Sequence, residues 1–507
     1  MTKKFLFSTL TLLMVLLLCI GCATAPIDDG TVSSELTESS EESSKETPKN
    51  NDDTPSTPTG NENPPEPQGT PAEESYLNGV ELSKFSIVYP KRGNDYTKRA
   101  AEYIQAEILE RTELELPLVT DLQSGSNEYQ IIVGETGLGI SKRLDADTQR
   151  SEFAILAEKK QIALEGDYFV IAAAAYFFIE TYIPEDNFSA EIPKEVSIHE
   201  PIVKEAKNYI MLIGDGMGLY QTLLFDVMNT DPDCRGDGEK LFYGYYLPMQ
   251  GMARTTSLSG LTDSAAAGTA LATGYKTKNG YVGQDGNHKE IQSITELAAS
   301  RGMSTAVMST EASTGATPAS FSAHANSRGD SADILADQAA LTQKYGTIIE
   351  CNFNNYYDSY VNDVIEPKIL NVLSELEKNE NGFFIMYEEA HIDKHCHSND
   401  FVRTFRALVR FNQAIARFME YAFYHPETFV LITADHETGE LLPNNSGGYS
   451  FNYNDHSSYY VPVCAFGDGS ELFDARIVEN VQIPKTIARF MGVNNFGDQS
   501  SFPALKK

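Results

Sequence analysis

Basic residues are scarce in this 507-residue chain: 39 Lys and Arg stand against 72 Asp and Glu, a formal charge of −33. That deficit excludes nucleic acid and an anionic membrane surface as electrostatic partners. It also means that a site for a phosphate must bring its own local positive charge. Zinc-finger spacing is missing as well. Of six cysteines, Cys19 and Cys22 fall in the N-terminal apolar stretch, and Cys234, Cys351, Cys396 and Cys464 are scattered. Such scatter neither demands disulfides nor excludes them. Residues 23–75 have few large apolar side chains. They are built from Ser, Thr, Pro, Glu, Asp and Asn, with 13 acidic residues against 2 lysines, −11 of the −33. A segment of this composition cannot bury a core and reads as a disordered acidic tether.

What is present begins with an export signal over residues 1–22. Lys3 and Lys4 precede an almost wholly apolar run from Phe5 to Gly21, which ends at Cys22. Cys19-Ile20-Gly21-Cys22 resembles a bacterial lipoprotein cleavage box, which implies a lipid anchor on Cys22 and an exported, membrane-attached protein. The other reading is a retained membrane helix, for which about 17 apolar residues is a marginal length.

Residues 76–200 read as a small α/β unit. Phe85–Tyr89 and Tyr129–Gly134 are strand candidates, and Glu152–Ile155 with Gln161–Leu164 reads as a hairpin. Asp95–Glu113 has helical periodicity, with Ala100, Ala101, Ile104, Ile108 and Leu109 on one face. Tyr168–Ile183 is a second helix. No catalytic constellation occurs here, so the unit reads as an accessory or spacer. It resembles the small α/β domains that precede catalytic domains in exported glycoside hydrolases.

From Lys207 the texture changes, and residues 205–507 read as one larger domain. Continuous apolar runs at Tyr209–Ile213, Ser304–Met308, Gly382–Tyr387 and Thr428–Thr433 suit strands buried on both faces. Val461–Phe466 is another, with Pro462 suggesting an edge or a strand start. Helical segments alternate with these runs, which predicts a three-layer α/β/α sandwich around a mostly parallel sheet. In such sheets ligands bind beyond the strand ends, and polar residues crowd there. Asp215 follows the first run between two glycines. Glu388 follows the third. Asp435 and His436 follow the fourth, Asp393 and His397 are spaced i, i+4, and His456 lies beyond a polar loop. Together they form the donor inventory of a zinc or mixed zinc and magnesium centre. The stretch Thr262 to Gly274 reads as a tightly packed helix with Ser264 in its first turn. Ser264 is either part of an ordinary cap with Asp263 or a nucleophile facing an anion at the positive end of the helix.

The order of motifs resembles the alkaline phosphatase family over roughly residues 205–495. The motifs are Ile213-Gly214-Asp215-Gly216-Met217, Thr262-Asp263-Ser264-Ala265, Ala316-Thr317-Pro318-Ala319 with Ser327-Arg328, Tyr387-Glu388 with Ile392-Asp393 and His397, Thr433-Ala434-Asp435-His436-Glu437, and His456 before Val461-Pro462. The resemblance implies a phosphomonoesterase that works through a phosphoserine at two zinc sites and one magnesium site. Asp393, His397 and His456 would hold one zinc. Asp215, Asp435 and His436 would hold the other, joined by Ser264. Thr317, Glu388 and Asp215 would hold magnesium. Arg328 would clamp phosphate oxygens and Asp263 would position Arg328. Two metals about 4 Å apart suit an in-line displacement, and a planar guanidinium suits non-bridging oxygens. Small phosphorylated molecules are the implied substrates, and a homodimer stays open.

Several positions depart from the family pattern. Gly315 stands where the family has His or Asp, which predicts a weaker or altered third site. Lys394 stands where Lys, His or Trp occurs and is expected to reach phosphate; a solvated helix lysine is the plainer reading. Glu389 replaces a usual Gly and is expected to add negative charge near the magnesium donors. His391 is an extra imidazole, His395 reads as structural or rim, and Cys396 as a small buried residue. A phosphodiesterase or sulfatase on the same scaffold is the nearest alternative. A surface carbohydrate-binding protein with a decayed enzyme domain is the alternative from another class.

Overall fold

A computed structural model describes residues 74–506 apart from 126–128, 145–149, 159, 186, 226–241 and 353–361. The signal 1–22 with Cys22, the tether up to residue 73, and Cys234 lie outside the described residues.

The first sheet is built from β1 (Phe85–Tyr89), β2 (Leu118–Thr120), β3 (Tyr129–Val133), β4 (Phe153–Ala157), β5 (Gln161–Gly166) and β6 (Ser197–His199), in the order β2-β1-β3-β5-β4-β6. β4 and β5 form the expected antiparallel hairpin. Helix α1 (Asp95–Thr112) starts at Asn94, whose side chain accepts from the Thr97 N–H at 3.1 Å. Ala100, Ala101, Ile104 and Ile108 are buried, whereas Leu109, expected on the same face, is 42% exposed. The second helix, α2 (Ile171–Tyr182), follows a single 3-10 turn at Tyr168–Val170.

The second sheet has eight strands: β7 (Asn208–Gly214), β8 (Met249–Arg254), β9 (Ser304–Ser309), β10 (Ile348–Cys351), β11 (Phe383–Glu389), β12 (Thr428–Thr433), β13 (Val461–Phe466) and β14 (Ile477–Glu479). Their order is β10-β9-β11-β7-β12-β13-β8-β14, parallel except where β13 runs against β12 and β8. Every residue of β7 and β11 is buried, as their apolar runs require. Pro462 is not on an edge strand. It pairs with Met252 on β8, while the pairing of β13 with β12 covers only Cys464 to Phe466, so the missing N–H falls where the strand is flanked on one side.

Helices α6 (Asn362–Leu376) and α8 (Phe401–Tyr424) cover one face of this sheet. Helices α4 (Ile294–Ser300) and α5 (Ala316–Ser322) cover the other, where α3 (Ser264–Thr273) packs on α5 and on α9 (Gln482–Phe490). The fold is therefore the expected three-layer α/β/α sandwich with a mostly parallel sheet. The two sheets share one continuous apolar core. Helix α8 belongs to both: Phe423 stacks on Phe169, the Tyr424 ring lies tilted against Tyr103, and Arg99 Nε lies 2.8 Å from Glu420 Oε1.

Candidate active site

Three short segments bring the expected donors together beyond the C-terminal ends of β7, β11 and β12. Asp393 lies in the one-and-a-half-turn helix α7 (His391–Cys396), with His397 just after it, so the i, i+4 spacing turns both to one side. His397 Nε2 is 3.3 Å and His456 Nε2 3.7 Å from Asp393 Oδ1. The other ring nitrogen of each histidine faces a carbonyl: His397 Nδ1 lies 2.8 Å from the Asn454 oxygen, and His456 Nδ1 2.8 Å from the Thr262 oxygen. A carbonyl only accepts, so each Nδ1 is the donor and each Nε2 is turned inward.

The second group is Asp215, Asp435 and His436. His436 Nε2 is 3.2 Å from Asp435 Oδ2 and 3.6 Å from Asp215 Oδ1. Asp435 Oδ1 is fixed by the backbone N–H groups of Gly216 and His436, at 3.2 and 2.9 Å. In each group of three, the donor atoms all lie within 4.8 Å of one another. The groups adjoin, since the His436 and His456 rings stack at 3.7 Å. Gly216 makes this approach possible. It has φ 74°, and a Cβ there would come within 2.7 Å of the Asp393 Cα.

Ser264 opens α3 as expected, buried, with its Oγ 3.2 Å from His436 Nε2. Asp263 makes contacts in two directions. Its Oδ1 caps the helix by accepting from Ala266 N–H at 2.9 Å, while Oδ2 accepts from Gly280 N–H at 2.9 Å and faces Arg328 Nη1 at 3.4 Å. Arg328 N–H in turn donates to the Gly280 carbonyl at 2.7 Å, and its side chain is 44% exposed, open to a solute.

A third group lies behind the second. Glu388 accepts from the Ser309 hydroxyl through Oε2, and the Thr317 hydroxyl adjoins it. Burial, then the neighbouring Glu311, pushes Glu388 well above the ordinary carboxylate range. Burial, then Asp435, does the same to Asp215, and Asp435 is raised to about 7. Burial and His456 hold His436 well below the usual imidazole value. Burial opposes ionisation of Asp393 too, but His397 and His436 outweigh it and hold that carboxyl low. Asp215 Oδ1, Glu388 Oε1 and Asp435 Oδ2 are buried without a hydrogen bond. Carboxylates crowded in this way keep their charge only beside a cation. With inward-facing imidazoles among them, these donors fit divalent metal ions.

Comparison with known proteins gives the same direction. The family model described as alkaline phosphatase matches residues 206–365 and 361–459. The chain belongs to the alkaline phosphatase family. It is 26% identical over 338 residues to alkaline phosphatase 3 of Bacillus subtilis, covering 57% of this chain and 71% of that one. It is 30% identical over 315 residues to an alkaline phosphatase of Schizosaccharomyces pombe, covering 47% and 57%. Among solved structures, alkaline phosphatase from the Antarctic bacterium TAB5 superposes with a TM-score of 0.51 at 25% identity, covering 58% of this chain and all of the other.

The positions that depart from the family pattern behave unequally. Glu389 does not add uncompensated charge beside Glu388. It turns to the opposite face of the sheet, where Arg410 Nη2 at 3.1 Å and the His391 N–H at 3.1 Å meet its Oε1. Burial alone would raise it, but Arg410 and His391 bring it down to about 2. No motif or spacing pointed to Arg410, which lies in the middle of α8 and is buried. His395 is buried and lowered to about 4, by burial and then by His391. Cys396 is a buried free thiol, as expected, and Cys351 and Cys464 are free as well. Lys394 Nζ lies 2.7 Å from Glu311 Oε2. Glu311 and Thr438, whose hydroxyl donates to Asp393 Oδ1 at 2.5 Å, are neighbours that no spacing in the sequence singled out.

Proposed function

We propose that this chain is a phosphomonoester hydrolase that acts through a phosphoserine on Ser264. The carrying observation is the position of Ser264: a buried hydroxyl at the start of a helix, against inward-facing donors and beside the Asp263–Arg328 pair. In this reading Asp393, His397 and His456 hold one zinc, Asp215, Asp435 and His436 with Ser264 a second, and Asp215, Thr317 and Glu388 a magnesium. When bound, these ions supply the positive charge that lets the serine hydroxyl ionise and an alcohol leave.

The chain's own residues do the rest. The first-turn N–H groups of α3 and the Arg328 guanidinium bind the non-bridging oxygens. Asp263 orients Arg328 while holding the helix start. Ser264 Oγ attacks phosphorus opposite the departing oxygen, which leaves as the alcohol. Water then cleaves the phosphoserine, returning the serine and releasing inorganic phosphate. Lys394, 40% exposed, reaches phosphate only by turning away from Glu311. A phosphomonoester dianion carries twice the charge of a diester or a sulfate ester, so Arg328 together with the cations held by these donors favours monoesters, and the complete donor groups favour an enzyme over a binding protein.

The test is a side-by-side rate measurement on a chromogenic phosphomonoester, a diester and a sulfate ester, before and after chelation and with zinc restored. Monoester turnover that exceeds the others, stops on chelation and returns with zinc is expected; chelator-resistant turnover would sink the reading. Export with Cys22 as a lipid attachment point belongs to the same proposal. None of the helices among the described residues is long and apolar enough to cross a membrane. Metabolic labelling with palmitate should mark the native protein and not Cys22→Ala, and an unlabelled native protein would exclude the anchor.

A further inference from the structure

The space over Gly315 is taken by another side chain, while its backbone conformation places no demand on it. Its φ of −58° and ψ of 155° suit any residue. A Cβ on Gly315, however, would fall on the carboxylate of Glu311, with the Glu311 Cγ 2.8 Å away. The volume that an acid or imidazole at position 315 would occupy is thus filled by an acid from four residues upstream.

Glu311 is held there from several sides. Its backbone N–H donates to Ser309 Oγ at 3.0 Å, and the same hydroxyl donates to Glu388 Oε2. Its carbonyl accepts from the Asn352 N–H at 2.6 Å. Lys394 Nζ clamps its Oε2 at 2.7 Å, leaving Oε1 as the atom nearest the Cβ position of residue 315. The side chain is 18% exposed. The Ser309 hydroxyl thus links Glu311 to Glu388, whose Oε1, like Asp215 Oδ1, is buried without a hydrogen bond. A third acid brought against two such oxygens is unfavourable unless a cation joins them.

We infer that Glu311 supplies the carboxylate that completes the third cation site with Asp215, Glu388 and Thr317, in place of a side chain at position 315, and that Lys394 positions it. The inference rests on the metal-dependent reading above. It reverses the expectation from Gly315 alone: the site keeps an acidic donor, moved to another point of the chain. Because Lys394 shares that donor, it is a positioning residue for the third cation.

The experiment counts metal ions and does not depend on turnover. The purified full-length protein is equilibrated with zinc, then titrated with Mn2+, with zinc measured by elemental analysis and free manganese by its spin resonance. The native protein is expected to hold two zinc ions and one manganese. E311Q should keep both zinc ions and bind manganese at least about tenfold more weakly. The double variant E311A/G315D, which vacates the space and moves the carboxylate to residue 315, should regain most of that affinity. Circular dichroism melting checks that each variant is folded, and E311D replaces E311Q if the latter is not. Native manganese affinity in folded E311Q would overturn the assignment and leave Glu311 as a counter-ion of Lys394. Two zinc ions without manganese in the native protein would overturn it as well. Absence of zinc too would overturn the metal-dependent reading itself.

Discussion

Glu388 and Glu389 are neighbours at the end of one strand, both fully buried, and they live in opposite electrostatic surroundings. Successive strand residues face opposite sides of a sheet. On the α8 side, Glu389 meets Arg410 and His391 and is held down to about 2. On the α5 side, Glu388 meets Ser309, Thr317 and the acid Glu311, and is pushed well above its ordinary range. One face of the sheet is neutralised by the protein; the other awaits positive charge from outside. The difference teaches that burial of an acid does not by itself mark a site. Each of the two keeps one oxygen without a hydrogen bond, so the mark is instead an acid buried among acids, as Glu388 is, where Glu389 has the Arg410 guanidinium.

The largest effect that would sharpen this contrast is on turnover. Ser264→Ala, on the uncompensated side, is expected to lower kcat by about 10³-fold or more with the metal count unchanged. Ser141→Ala, whose serine accepts from Thr136 N–H at 2.9 Å beside the first sheet, should leave kcat alone and cost about 1 kcal/mol in denaturant unfolding. Comparable losses of kcat in both would erase the distinction. On the compensated face, Arg410→Ala should strand Glu389 and cost about 3–5 kcal/mol of stability. A change no larger than that of a surface substitution, read by the same unfolding curve, would show that Arg410 does not neutralise that face.

Smaller effects refine the picture. Arg328→Ala should lower kcat/KM for a phosphomonoester by about 10–100-fold and weaken inhibition by inorganic phosphate, with little change in stability. Unaltered phosphate inhibition would remove Arg328 from the anion site. His324 offers a partly buried ionisable group compensated away from the strand ends. Burial opposes its charge, but Glu296 and Asp337 raise it to about 9. Its folded value exceeds the unfolded one, so its stabilisation is complete below about pH 6.5 and is lost as pH rises through 9. His324→Gln should cost about 2 kcal/mol at pH 6 and almost nothing at pH 10; a cost that does not vary with pH would show that only packing is lost.

The fold was largely legible because strands buried on both faces must be apolar throughout. β7, β9, β11 and β12 announced themselves in this way. β8, β10 and β14 did not. β8 contains Gln250, Gly251 and Arg254, and β10 and β14 are the sheet's outermost strands, too short for a pattern of their own. The donors were legible because strand ends and i, i+4 spacing are local features, and the structure gathers six of them into two groups of three. Glu311 and Arg410 were not. An acid filling the space over a glycine and a guanidinium reaching across a sheet exist only once remote segments have packed. The direction of Glu389 was misread for the same reason: its facing depends on strand parity and on what lies across it.

Helix α8 has a further consequence, for inheritance. It presents Arg410 to the strand ends of one sheet and Glu420, Phe423 and Tyr424 to the helices of the other. Residues 76–200 lie outside the span matched by the alkaline phosphatase family, yet they are not a bead on a string. A gene rearrangement that dropped or exchanged them would uncover one side of the helix that carries Arg410. Cutting the chain near residue 200 would expose to water the Phe423 and Tyr424 rings that now meet Phe169 and Tyr103.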